Sequence, residues 1–386
     1  MENKRLIFRK FTGLEGLKKL KHDWQSLLEN VSDNQYLHTY EWHLSFMQAF
    51  ASKNAYYIFY CVYDNDCAVA IFPLYIEYRK TPLFTLKSLT LPTHSHITLH
   101  DFIIHDDILC KQSVVSDLTR QLGKDRIHWD YCLFLSVIEG SKAQLQLDYE
   151  AYNPAMKNTI DDSYSIDLAD TYEDTISHIP GNFRRNIARL ERKAQKQGEL
   201  KFIQALSTTE EITDYLQQFI EIENDSWKGK NNSSIKSNQK FIDYYRSLTT
   251  NFKDKSVCLI NFLQINDELI AGQFAIKHNN RLNLLKIGYK EEYSPIGPGN
   301  ILLSYTLRHC IESPEYDNVN IITSPKWAEK WFNNNKHVYS YYLFRKSPRG
   351  ILLFLSWRYL LPAFKKIRYR LKIIGKSMSD RTHKDG

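Results

Sequence analysis

Residues Tyr289 to Leu303 read Y-K-E-E-Y-S-P-I-G-P-G-N-I-L-L, a stretch that joins a strand to a helix through a Gly-Pro-Gly turn. Gly297 and Gly299 carry no Cβ, so the backbone can turn sharply there and a ligand can approach it closely. Just beyond, Asn300 to Cys310 keeps Ile301, Leu302, Tyr305 and Leu307 at helical spacing. The first turn of such a helix presents unpaired N–H groups beside the glycines. That is an anion site, suited to a phosphate at Gly297, Gly299 and Asn300. A Gly-Pro pair by itself also reads as a simple turn, so the surroundings have to decide.

Two blocks upstream bear on that decision. Glu223-Asn-Asp-Ser-Trp227-Lys228-Gly229 lies on or just after the apolar-periodic run Ile212, Tyr215, Leu216, Phe219, Ile222. Before it stands the basic segment Asn182-Phe-Arg-Arg-Asn-Ile-Ala-Arg-Leu-Glu-Arg-Lys. With these blocks in this order, over roughly residues 20 to 340, the chain resembles the CelD-like acetyltransferases of the GNAT superfamily, which are linked to cellulose and exopolysaccharide biosynthesis. The resemblance implies acetyl-CoA or another acyl-CoA as co-substrate and a saccharide or envelope precursor as acceptor. It also implies site roles for Glu223, Trp227 and Lys228. The family tends to carry an Asp and, later, a Tyr-Lys pair where this chain has Asn320 and Trp327-Ala328, which leaves Lys326 or Lys330 as stand-ins.

Composition bounds the rest. At 386 residues, 43% hydrophobic and 25% charged, the chain has room for two domains and the make-up of an ordinary globular protein. Met1 to Lys10 has no apolar core of signal-peptide length, and no apolar run approaches the roughly 18 residues a membrane span needs, so a cytoplasmic location is expected. Cys61, Cys67, Cys110, Cys132, Cys258 and Cys310 show no C-x-x-C pair and read as reduced, mostly buried thiols. Net charge is +7, but Arg345 to Lys376 holds ten Lys and Arg and no acid; without those ten charges the remainder stands at −3. The basicity belongs to the tail.

Hydrophobic periodicity gives the same element order twice. The first half reads as helices near residues 14–30 and 40–50, strands near 56–63, 68–78 and 97–104, a helix near 109–122, a strand 131–138, a short helix and a strand near 159–168. The second half reads as helices near 182–197, 209–226 and 238–251, a meander at 257–265, 269–277 and 282–288, and the Gly-Pro-Gly helix. A strand 319–322, a helix near 326–333 and a strand 338–344 follow. This order is that of a GNAT domain. The expected architecture is therefore α+β: two GNAT-like domains, each a mixed, mostly antiparallel sheet flanked by helices, at 1–168 and 169–345, with a basic amphipathic tail at 346–386.

Candidate chemistry follows from side-chain type and spacing. The helix near 182–197 puts Phe183, Ile187, Leu190 and Ala194 on one face and arginines on the rest. It reads as a solvated basic face, or as one where Arg184 and Arg185 meet a phosphorylated ligand with their guanidinium forks. Glu223 precedes Trp227 by four residues, so on a continuous helix they share a face, suiting a general base beside a flat wall for a sugar or acyl group. Trp227 has a plain core-packing reading as well. His94, His96 and His100 alternate as on one strand face, but no cysteine or carboxylate cluster accompanies them, so a wall of the interdomain cleft is expected and no metal.

The tail interleaves Ile351 to Trp357, Tyr359 to Leu361, Phe364, Ile367 and Tyr369 with Lys365, Lys366, Arg368, Arg370 and Lys372. It suits either a helix that closes the core or one lying on an anionic membrane surface. No nucleic-acid motif accompanies the basic residues. A Fem-type transferase using aminoacyl-tRNA and a non-catalytic scaffold of an envelope-polymer machine are the alternatives.

Overall fold

The computed structural model describes residues 6–51, 56–80, 85–96, 99–109, 114–149, 154–253 and 256–360. Within them thirteen strands form one mixed sheet. In chain order these are β1 Ile7–Thr12, β2 Tyr56–Asp64, β3 Cys67–Lys80, β4 Thr85–Thr90, β5 Ile103–Ile104, β6 Tyr131–Ile138, β7 Ala155–Asp167, β8 Leu200–Leu206, β9 Ser256–Ile265, β10 Glu268–His278, β11 Arg281–Tyr289, β12 Asn318–Ile321 and β13 Asn334–Phe344. The hairpins between β2 and β3, β9 and β10, and β10 and β11 turn on Asn65 and Asp66, Asn266 and Asn279, all at positive φ. Asn and Asp tolerate that left-handed conformation because their short polar side chains bond locally.

Across the sheet the order is β1-β2-β3-β4-β6-β13-β7-β12-β11-β10-β9-β8, with β5 beside β3. The duplication expected from element order is visible here. In one lobe β1, β2, β3 and β4 are antiparallel neighbours and β6 runs parallel to β4. In the other, β8, β9, β10 and β11 are antiparallel and β12 runs parallel to β11. The sixth strand of each lobe comes from the other half of the chain: β13 lies against β6, and β7 against β12. β7 and β13 pair with each other as well, from Leu343↔Ala155 to Asn334↔Ser165, and so weld the two lobes into a single sheet.

Equivalent helices of the two halves meet on one face of that sheet. Tyr40–Phe50 starts where the Thr39 hydroxyl accepts the Trp42 N–H at 3.2 Å, and Gln239–Asn251 where Asn238 accepts the Lys240 N–H at 3.0 Å. The Phe50 and Tyr244 rings lie 5.5 Å apart, and the Asn251 side-chain amide donates to Ser45 and to Gln48, each at 2.9 Å. One hydrophobic cluster, including Trp24, Phe59, Phe219, Tyr245 and Phe262, runs continuously under both lobes. Each such buried ring stabilises the fold by about 1.5–3 kcal/mol, so separating the lobes would cost many such contributions.

Several expectations are corrected. Of the strand expected at 97–104 only Ile103–Ile104 pairs within the described residues, because Asp101 turns the chain by accepting the N–H groups of Phe102, Lys142 and Ala143. The helix expected near 326–333 is a single turn, Ala328–Lys330, after which Trp331 and Phe332 drop into the core. Three strands give no clear sequence pattern. β1 and β8 are sheet edges with few buried positions, and β4 is only six residues long.

Candidate active site

The Glu223 helix, Ile212–Asp225, packs its Leu216, Phe219 and Ile222 face onto β10 and β11. Contact is close: a Cβ on Gly288 of β11 would lie 2.6 Å from Glu223 Cα, so only glycine fits there. Glu223 is thereby fully buried; its Oε2 accepts the Ile235 N–H at 2.8 Å, and Oε1 stands 3.5 Å from Lys228 Nζ. Lys228 Nζ also donates to the Ile287 carbonyl at 2.5 Å. Burial lowers the Lys228 pKa, against the opposing pull of the Glu223 charge.

The shared helix face expected for Glu223 and Trp227 does not exist. The helix ends at Asp225, Ser226 is extended at ψ 174°, and its hydroxyl caps a new short turn, Trp227–Lys230. The break points Trp227 outward, 53% exposed, while Glu223 stays at 0%. Trp227 is therefore not core packing.

Above this pair lies a cavity of about 560 Å³ lined from both lobes. The second half supplies Trp227, Lys228, Ser233, Phe241 and Lys286, and the first half supplies Ser95 and His96. The interdomain position expected for the histidine segment thus holds for His96, though on a loop and not on a strand face. The His96 ring stacks on Phe241 at 3.9 Å and His94 lies between Phe50 and Phe241, each at 4.4 Å, whereas His100 turns away to donate to the Pro92 carbonyl at 2.7 Å. Burial pushes His96 down to about 3 and His100 to about 4, so both are neutral. Among the described residues no three His, Cys, Asp or Glu side chains converge as a metal site.

Lys286 and Phe241 carry no local sequence signal, and sequence reading missed both. Lys286 sits beside a bulge: Phe274 pairs with Lys286 and Ala275 with Leu284, so Leu285 is the extra residue. On its other edge β11 pairs with β12 only from Arg281 to Leu284. Beyond Leu284 the parallel strands part, and the β11 edge from 285 to 289 has no strand partner among the described residues.

That freed edge leads into the Gly-Pro-Gly turn. Gly297 adopts φ 62°, ψ 51°, and the helix Pro298–Glu312 begins with Pro298 in its first turn. The N–H groups of Gly297 and Asn300 bond to Ser294 and Gly297 carbonyls, each at 3.0 Å, while that of Gly299 has no such backbone partner among the described residues. The Asn300 side-chain oxygen accepts the Trp331 indole N–H at 2.8 Å. On the basic helix, Gly181–Gln195, Ile187, Leu190 and Ala194 are buried as expected; Arg184 and Arg185 are exposed and do not line the cavity. Asn320, on β12, accepts from the Ser163 hydroxyl at 3.4 Å, and Lys330 lies over the Phe183 ring.

Residues 181–322 match the family described as acetyltransferase (GNAT) domain. No curated protein matches the chain. Among solved structures, FemX is 11% identical over 88% of this chain and 98% of its own, with a TM-score of 0.56. A tandem GNAT protein from the clavulanic acid biosynthesis pathway is 12% identical over 87% and 98%, TM-score 0.50. A conserved protein of unknown function from Bacteroides thetaiotaomicron is 11% identical over 85% and 97%, TM-score 0.50. At these identities the likeness is one of fold. Residues 181–322 are thus a GNAT acetyltransferase domain set within a double GNAT-like fold, and the protein is an acyltransferase.

Proposed function

We propose that the protein moves an acetyl or other acyl group from CoA to an amino or hydroxyl group of a saccharide or related envelope precursor. The observation that carries this reading is the parting of β11 from β12 immediately before the Gly297 turn. A pantetheine arm has free backbone to pair with along 285–289, and the diphosphate has the Gly299 N–H and the helix dipole at Gly297 to Asn300. The acceptor occupies the cavity between the lobes, with Trp227 as its flat wall. Its amine attacks the thioester carbonyl, a C–N bond forms, the C–S bond breaks, and the amine's proton balances the departing thiolate. Backbone N–H groups on the freed edge stabilise the tetrahedral oxyanion.

Glu223 does not face the cavity, so its part is to hold Lys228, whose amine does. Glu223→Gln keeps an oxygen for the Ile235 N–H but removes the charge opposite Lys228. Turnover should fall by about 10²–10⁴-fold, the range for loss of proton-transfer machinery, with acyl-CoA affinity retained. Wild-type turnover in that variant would reduce Glu223 to packing.

The acceptor class rests on the resemblance to CelD-like proteins, as does the exopolysaccharide setting, and the tail adds an anionic membrane surface as partner. Arg184 and Arg185 remain candidates for a phosphorylated part of a ligand that extends beyond the cavity. Native mass spectrometry of the purified chain for a co-purified CoA thioester, followed by titration with acetyl-CoA, tests the donor. Failure to bind any acyl-CoA sinks the reading; binding of aminoacyl-tRNA in its place transfers the site to that donor.

A further inference from the structure

We propose that the acceptor carries an anionic group, a phosphate or a carboxylate, which is held in the cavity by Lys286 together with Lys228 while its ring lies against Trp227 and Phe241. This deepens the acyl-transfer reading and rests on it.

The charge balance of the cavity is the first ground. Two lysines line it and no acidic side chain does. The carboxylate beneath, Glu223, already serves Lys228 and the Ile235 N–H. Lys286 Nζ has neither ion-pair partner nor hydrogen bond among the described residues, although the side chain is only partly exposed. A half-buried ammonium left without a counter-charge is costly unless a ligand supplies one. Its pKa reports that cost: burial, and next the Lys228 charge, bring it down to about 8.

Shape and chemistry of the walls are the second ground. Ser233 and Ser237, with Asn232 and Asn238, offer hydroxyl and amide donors around the lysines, and anions collect such donors. Trp227 leaves half its surface open at the rim, and Phe241 is already stacked on His96, so the apolar wall is rigid and suited to the flat face of a sugar. The charged and titratable groups that act on Lys286 or feel it are Lys228, Glu223, His94 and His96. Burial keeps His96 neutral, so it adds no competing positive charge.

The test uses the full chain with three probe amines: glucosamine, glucosamine 6-phosphate and 2-amino-2-deoxyglucuronate. Calorimetry at neutral pH should show the two anionic probes, or one of them, binding at least about tenfold tighter than glucosamine, the scale of one charge-assisted contact. Which anion wins tells phosphate from carboxylate. Lys286→Gln should erase the preference. Lys286→Arg should keep it and extend it to higher pH, whereas wild type should lose it as pH rises through about 8 and the ammonium is neutralised. Equal or absent binding of all three probes by wild type, or an undiminished preference in Lys286→Gln, overturns the proposal. Acetyl-CoA titrated into the same samples reports separately on the donor: anion preference without acetyl-CoA binding would remove the acyl-transfer reading and leave the anion site standing.

Discussion

At the scale of single residues, the two turn glycines have different jobs. Gly297 needs its left-handed φ, and a Cβ there would also lie 2.9 Å from Leu190 Cδ1. Gly297→Ala should therefore destabilise the fold by about 1–3 kcal/mol, read as a lower denaturation midpoint. At Gly299 a Cβ would meet only Tyr289 Cδ1, at 3.8 Å. Gly299→Val should accordingly fold normally yet lose acetyl-CoA affinity in calorimetry, because its branches would stand where the ligand meets backbone. Unchanged affinity would detach the donor from this turn. The motif around Glu223 was legible in the sequence as a cluster, but the roles within it were not. Ser226 ends the helix between Glu223 and Trp227, and helical spacing carries no information across a break.

At the scale of elements, the start of the tail turns out to be both of the things its sequence allowed. The helix Pro348–Leu355 and the turn Ser356–Leu360 place Leu353, Phe354 and Trp357 against Leu86, Tyr131 and Phe344. Their other side exposes Ile351, Leu352, Leu355, Tyr359 and Leu360. Residues 361–386, with most of the basic charge, lie outside the described residues. No described helix is long and apolar enough to cross a membrane. Replacing Leu352, Leu355, Tyr359 and Leu360 by Ser should leave the melting temperature nearly unchanged, since surface changes usually stay within about 0.5 kcal/mol. Sedimentation with anionic liposomes should fall sharply in that variant, and in wild type it should weaken with salt. Wild type that ignores liposomes would end the membrane reading. Leu353→Ala, by contrast, should cost about 2–5 kcal/mol, as a buried Leu does.

At the scale of the whole molecule, the exchange of β7 and β13 makes each lobe depend on the opposite half of the chain. Residues 1–168 made alone would leave β6 without β13, and 169–386 would leave β12 without β7, exposing unpaired strand edges in mid-sheet. Each half should fail to unfold cooperatively by itself, and co-expression should restore a folded complex. A half that folds alone would show the exchange to be dispensable. Acid should also weaken the assembly. Burial holds His43 and His96 down to about 3 and His100 and His278 to about 4. His278 donates to Asn34 across the lobes at 2.6 Å. Below an unfolded value of about 6.5 only the unfolded chain takes up these protons, so stability falls as pH drops from there towards 4, by about 1.4 kcal/mol per pH unit for each histidine kept neutral. Urea midpoints compared at neutral and mildly acidic pH check the direction.

The sequence by itself determined what is local: the twice-repeated order of helices and strands, the turns at Asn65, Asn266 and Asn279, the buried stripe of the basic helix, and the sharp turn at Gly297. Side-chain periodicity and φ preference act over a few residues, and a few residues suffice to read them. Only the tertiary structure decided which strand lies beside which, that Leu285 bulges from its ladder, that Lys286 comes to Lys228 across a bulge and a broken helix, and that His96 of one lobe closes a cavity made by the other. Those facts depend on pairings between segments far apart in the chain. Register, burial and the cost of an uncompensated charge become defined only when such segments meet.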